Sequence, residues 1–197
     1  MGWTDGLEGD LIAVFVSRPN LNIKVAMFPQ VPQLIPSELC LECPVCCRFP
    51  DREAGMSPFF FPEERTRVER SERAAFRKKE GASKDELVPC GHGFACPFYE
   101  PADHTCVVYP DRPLDCAIYP VVVMRGRDGQ GVFVGADHKC PALARPEFAG
   151  RVREHLKTVQ AVLETPGVAG RIREFPDFIG EYQEEARNVR ELSLERA

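Results

Sequence analysis

The sequence predicts a small α+β fold: a short antiparallel sheet, a cysteine-rich loop core stapled by metal, and helices at the periphery. Three observations predict it. Two β-prone runs, residues 117–125 and 131–135, flank Asp128-Gly129-Gln130, a turn sequence that closes a hairpin. From Pro146 onward the apolar residues recur at helical spacing. Between residues 40 and 116 lies every cysteine but Cys140, in a stretch where neither period dominates.

Taken in order, residues 1–9 read as a flexible start. Residues 11–16 and 23–27 are β-prone runs separated by a Ser-Arg-Pro-Asn turn. Ile23, Val25 and Met27 alternate with Lys24 and Ala26, so one face of that strand is expected to be buried. Pro29, Pro32 and Pro36 then hold the chain extended. Residues 48–61, with Pro50, Gly55 and Pro58, read as loop. Pro62-Glu63-Glu64 starts a helix, with proline at the first position and acids in the first turn, and the pattern carries it to about Lys79, before Gly81. Its apolar stripe is only Val68, Ala75 and Phe76, so the remaining charged face reads as solvated.

Residues 88–116 carry prolines and glycines throughout and need something other than a large core to fix them; metal ligation supplies it. After the hairpin, Phe148, Val152, His155, Leu156, Val159, Val162 and Leu163 fall on one helical face. Pro166-Gly167 breaks that helix. A last helix is expected after Pro176, with Phe178, Tyr182, Ala186 and Val189 inward. The division that results is a cysteine-cluster domain over residues 1–145 and a helical extension, 146–197, packed on it.

The chemistry concentrates in Cys40, Cys43, Cys46 and Cys47, a C-x2-C-x2-C-C array. A Cys-x-x-Cys turn aims two sulfurs at one point and a third joins them, which is how a short loop wraps an ion or an inorganic cluster. A fourth ligand must come from further on, and Cys96, Cys106, Cys116 and Cys140 are the suppliers. Cys43, Cys96 and Cys140 precede prolines, which remove an amide donor and stiffen a ligand loop. Cys46 and Cys47 pose a problem, because successive side chains of an extended segment point to opposite sides. Unless the backbone turns sharply there, one is a ligand and the other packs or does redox chemistry, or they serve two sites. Two four-sulfur sites would use eight cysteines; one principal site is favoured, and Cys90 is the spare.

One dense triple with a remote cysteine suits a four-iron, four-sulfur cluster better than zinc, whose structural sites take two separated pairs. Zinc is the alternative. Arg48, Arg52 and Arg112 lie near cysteines as counter-charges, though the first two read equally as surface arginines. His92 and His138 each sit two residues from a cysteine and read as loop histidines before mixed ligands; His155 reads as core, and nothing around His104 suggests a role. Asp111 and Asp115 flank Arg112 and are expected to accept from loop amides. No G-x-S-x-G, H-E-x-x-H or P-loop sequence occurs.

Composition bounds the rest. The 197 residues are 44% hydrophobic and 28% charged, with net charge −5, so neither nucleic acid nor an anionic membrane surface is an expected partner. Nine cysteines cannot pair completely, and the first ten residues are acidic, unlike a secretory n-region. A reducing, cytoplasmic setting with metal-bound thiols is therefore expected, and a disulfide framework is not.

These motifs together resemble the CxxCxxCC family of zinc- or iron-chelating domains, also called YkgJ-family cysteine-cluster proteins. The resemblance rests on the array at Cys40, Cys43, Cys46 and Cys47, on Cys96 in Cys-Pro-Phe-Tyr, and on Cys106-Val-Val-Tyr-Pro-Asp-Arg-Pro-Leu-Asp-Cys116, with Tyr119-Pro120 and Cys140 following. It covers about residues 38–141. Two positions depart from it: Cys90 is extra, and Ala117 stands where the family more often has arginine. The resemblance implies metal chelation in a bacterial, cytoplasmic protein and implies no reaction. Two functions stand: an iron–sulfur protein passing electrons to a redox partner, and a zinc-fixed module that acts through a protein partner. A metal-handling role, using surplus thiols, is a third.

Overall fold

The computed structural model describes residues 28–52, 54–69, 83–84 and 86–194. The two strands expected over residues 11–16 and 23–27 lie outside these residues, as does the helix expected beyond Glu69.

Six α-helices and ten strands, with 3-10 turns between them, follow one another in the described residues. Helix α1 (Ser37–Leu41) and a 3-10 turn (Val45–Cys47) carry the cysteine array. Strands β1 (Arg48–Phe49) and β2 (Phe59–Phe60) lead to α2 (Pro62–Glu69). Next come β3 (Ser83–Lys84), β4 (Val88–Cys90), β5 (Gly93–Ala95), β6 (Tyr99–Glu100) and β7 (Thr105–Cys106). Helix α3 (Leu114–Ile118) opens the second half, followed by β8 (Val121–Arg125) and β9 (Val132–Asp137). Helices α4 (Pro146–Ala149), α5 (Val152–Leu163) and α6 (Pro166–Glu174) precede β10 (Ala186–Glu191). All pairings between these strands are antiparallel: β1-β5-β4, β10-β9-β8, β2-β3 and β6-β7. The fold is α+β, as the sequence predicts.

The hairpin forms where Asp128-Gly129-Gln130 places it. Gly129 takes φ +79°, a conformation that costs glycine nothing, and Asp128 Oδ1 accepts from the Gln130 amide at 2.9 Å. Its first strand begins at Val121 rather than Ala117, because Ala117 and Ile118 complete α3. Helix α5 buries Val152, His155, Leu156, Val159 and Leu163 against the sheet, the stripe the periodicity sets. His155 is a core residue, and burial lowers its pKa. Pro166 ends that run by starting α6 at its first turn, where a missing amide costs least.

Two expectations fail. The helix after Pro176 is a 3-10 turn followed by β10, which pairs with the open edge of β9. Asn188 sits at φ +55°, which an α-helix does not accept, and Val189 points out, 45% exposed. The edge of β9 offers a row of unpaired amides and carbonyls, and pairing them outweighs the i, i+4 spacing of Tyr182, Ala186 and Val189. Gly135 permits the close approach, since a Cβ there would lie 3.1 Å from that of Ala186. The second failure is residues 48–61, which contain β1 and β2 rather than loop alone.

Strand β2 has a consequence for the whole molecule. Phe59 and Phe61 enter a large core with β8, β9, α5 and α6, while Phe60 enters a smaller one with Phe49, Leu87, Ala95, Phe98 and Val108. Side chains of an extended segment alternate, so three consecutive phenylalanines stitch two cores together. Glu64 and Arg171 reinforce the seam. Glu64 accepts from the Phe61 and Leu114 amides at 3.0 and 2.7 Å, and Arg171 of α6 donates to Glu63 of α2 at 3.0 Å.

Candidate metal centre

The array is shaped by two consecutive turns. Leu39 and Cys40 donate their amides to Pro36 O, Cys43 donates to Cys40 O at 3.2 Å, and Cys47 donates to Pro44 O at 3.2 Å. The second turn is the sharp bend between Cys46 and Cys47 that an extended chain would lack. Their Sγ atoms are 4.0 Å apart, so both thiols lie toward the same region. The Cys47 carbonyl accepts from the Cys96 amide at 2.9 Å, which fastens the array to the second cysteine segment. Tyr99 donates its amide to Cys96 O and pairs with Cys106 across β6 and β7, so the Cys-Pro-Phe-Tyr turn ties the Cys96 loop to the hairpin that carries Cys106. Cys116 rides on α3, and Cys140 follows β9, held by its amide bond to Asp137 O at 3.1 Å.

Seven of these thiols border one cavity of about 530 Å³: Cys40, Cys43, Cys46, Cys47, Cys96, Cys106 and Cys116. Cys140 borders a separate hollow of about 80 Å³ together with Cys40, Cys43 and Cys46. All eight expected site residues thus reach one or other space. Cys90 reaches neither; it lies on β4 against the smaller core, the position of a spare. Among the described residues no three His, Cys, Asp or Glu side chains stand close enough together to grip an ion, so the thiols surround the space without meeting in it. The donor set fits a thiophilic metal: soft sulfur in excess of four, with turns and prolines stiffening the loops that carry it.

Enclosure sets the electrostatics of the thiols. Burial raises the pKa of Cys40, Cys106 and Cys116, and that of Cys140 to about 11. The hydrogen bond to Cys47 raises that of Cys46. Cys46 acts on Cys40, Cys106, Cys116 and Cys140, which puts it at the centre of the set. A bound cation would hold these thiols as thiolates, the form that ligates. Arg112 is the counter-charge here. It borders the cavity, stacks 4.1 Å above the Tyr109 ring, and lowers the pKa of Cys40, Cys46 and Cys106. Arg52 instead pairs with Glu86 at 3.3 Å on the surface.

His92 and His138 are exposed and border neither space. His104 does border the cavity, hydrogen-bonded to the Tyr99 hydroxyl and held at φ +61°; no local sequence signal marks it. Tyr119 and Gln33 are further wall residues. Tyr119 bonds Asp137 Oδ2 at 3.3 Å, and Gln33 Nε2 donates to the Tyr109 hydroxyl at 2.7 Å. Tyr119 was visible beforehand only as part of the Tyr-Pro motif. Asp115 and Asp111 do not form an acid–base pair: Asp115 accepts from the Phe59 amide at 2.9 Å and Asp111 pairs with Arg67 at 3.4 Å.

A family model matches residues 39–145, more than half of the chain, under the description "CxxCxxCC: Putative zinc- or iron-chelating domain". The chain belongs to this family, and its cysteine lobe is a metal-binding one. No curated protein and no solved structure matches the chain significantly.

Proposed function

We propose that this member of the CxxCxxCC family holds an iron–sulfur cluster and serves a redox or electron-transfer role. The observation that carries the reading is the cavity of about 530 Å³ with seven thiols on its wall, which is wider than a single tetrahedral ion needs. Those thiols are the ligand pool, Arg112 offsets their charge, and Tyr109, Tyr119 and Phe60 limit water at the wall. A cluster bound there supplies one-electron transfer, and Cys46, exposed at the surface, is where a redox partner would come nearest. Cytoplasmic placement belongs to the same proposal; among the described residues no helix is long and apolar enough to cross a membrane.

One observation favours a second reading. The core beside the thiols is small, and a structural zinc would fix it without any redox step, leaving the protein to act through a partner. Anaerobic purification followed by assay of iron, acid-labile sulfide and zinc separates the two. Brown protein with matched iron and sulfide is the expected result. Colourless protein with stoichiometric zinc sinks the iron–sulfur reading and leaves the second one standing.

A further inference from the structure

We infer that the eight thiols form two adjacent four-sulfur centres, divided between Cys46 and Cys47: Cys40, Cys43, Cys46 and Cys140 around the small hollow, Cys47, Cys96, Cys106 and Cys116 around the wide cavity. This rests on the metal-binding reading above and goes beyond it in number and in ligand assignment.

The partition follows from which space each thiol borders. Cys140 borders the small hollow and not the wide cavity, whereas Cys47, Cys96, Cys106 and Cys116 border the wide cavity and not the small hollow. Cys40, Cys43 and Cys46 border both. A four-sulfur centre at the small hollow needs all three of them, since it has no other thiol besides Cys140. The wide cavity is complete without them. A single four-sulfur centre of Cys40, Cys43, Cys46 and one remote cysteine would leave four further thiols with no ligand role.

Packing divides five of the eight cysteines the same way. Cys140 is buried in the large core and Cys40 packs against it, while Cys96 is buried in the small core with Cys47 and Cys106 against it. The backbone bond from Cys96 to Cys47 O belongs to the second group alone. The 3-10 turn then becomes the border, with adjacent residues turned to adjacent centres and their sulfurs 4.0 Å apart. At about 80 Å³ the first hollow suits a single zinc or ferrous ion in tetrahedral sulfur coordination. The wide cavity is the one with room for a cluster.

Alkylation of the anaerobically purified protein, read residue by residue by mass spectrometry against a chelator-treated control, tests the partition whatever the metals are. The informative thiols are the ligands that are at least partly exposed: Cys40, Cys43, Cys46, Cys47, Cys106 and Cys116. In the wild type all six are expected to be protected and Cys90 to react. Cys43→Ser is expected to raise labelling of Cys40 and Cys46 to the chelated level while Cys47, Cys106 and Cys116 stay protected. Cys106→Ser is expected to do the reverse, exposing Cys47 and Cys116 alone among these. Should either variant fail to fold, Cys40→Ser and Cys47→Ser put the same question. If substitutions in the two groups expose the same thiols, or if one group reacts in the loaded wild type, there is a single centre and the partition falls. A wild type with no metal and uniform labelling would instead overturn the metal-binding reading itself.

Discussion

The molecule places two differently built regions side by side. Among the described residues, the sheet-and-helix region, β8 to α6, is closed by a core of 22 buried residues, and the cysteine region, α1 to β7, by one of nine. The larger core follows simple periodicities, alternation in Val121, Val123 and Val134 and helical spacing in Val152, Leu156, Val159 and Leu163. The smaller one is gathered from two- and three-residue strands whose pairing is nearly all backbone. Hydrophobic burial stabilises roughly in proportion to the apolar area removed from water, so the first region can stand on burial and the second needs a further tie. The thiols are concentrated where that tie is needed.

Metal removal should break the contrast most visibly. Anaerobic chelation is expected to abolish hydrogen-exchange protection in β4 to β7 while β8, β9 and α5 keep theirs, because ligation energy matters most where burial is too small to hold the fold by itself. Equal loss in both regions would show that the two cores melt as one. The converse lesion is Leu156→Ala. It empties a fully buried site in α5 and should cost about 2–5 kcal/mol in chemical denaturation, with metal content unchanged. Metal loss in that variant would mean that the large core also shapes the centre.

Glu64 sharpens the comparison at the seam. Burial raises its pKa from 4.5 to about 7, opposed by the amides of Leu114 and Phe61. A carboxyl raised in the folded state is favoured there as the acid. Its stabilising effect is therefore present below the unfolded value of 4.5 and lost as pH rises through about 7. Denaturation across that window should show wild-type stability falling by up to about 3 kcal/mol relative to Glu64→Gln. Parallel curves for the two proteins would assign the slope to other groups. Cys90→Ser completes the series with the smallest effect: stability within about 0.5 kcal/mol and full metal content, as for a substitution that touches no special feature. Loss of metal there would add a ninth ligand.

The sequence by itself determined the elements whose side chains repeat with one period and whose ends carry their own chemistry. The Asp128-Gly129-Gln130 hairpin, the buried stripe of α5 and the start of α2 at Pro62 belong here, because turn residues, apolar spacing and helix-end charges act over a few neighbouring residues. It also singled out the cysteines that border the cavity and the hollow, since C-x2-C spacing is itself a local geometry. Tertiary structure alone decided three things. It folded residues 186–191 into a strand, because the edge of β9 is supplied from far along the chain. It split Phe59, Phe60 and Phe61 between two cores, because only a packed sheet gives an extended segment two apolar sides. It also turned Cys46 and Cys47 toward the same region and brought His104 and Gln33 to the cavity wall. Those positions depend on where separate loops cross in space, and linear spacing carries no record of that.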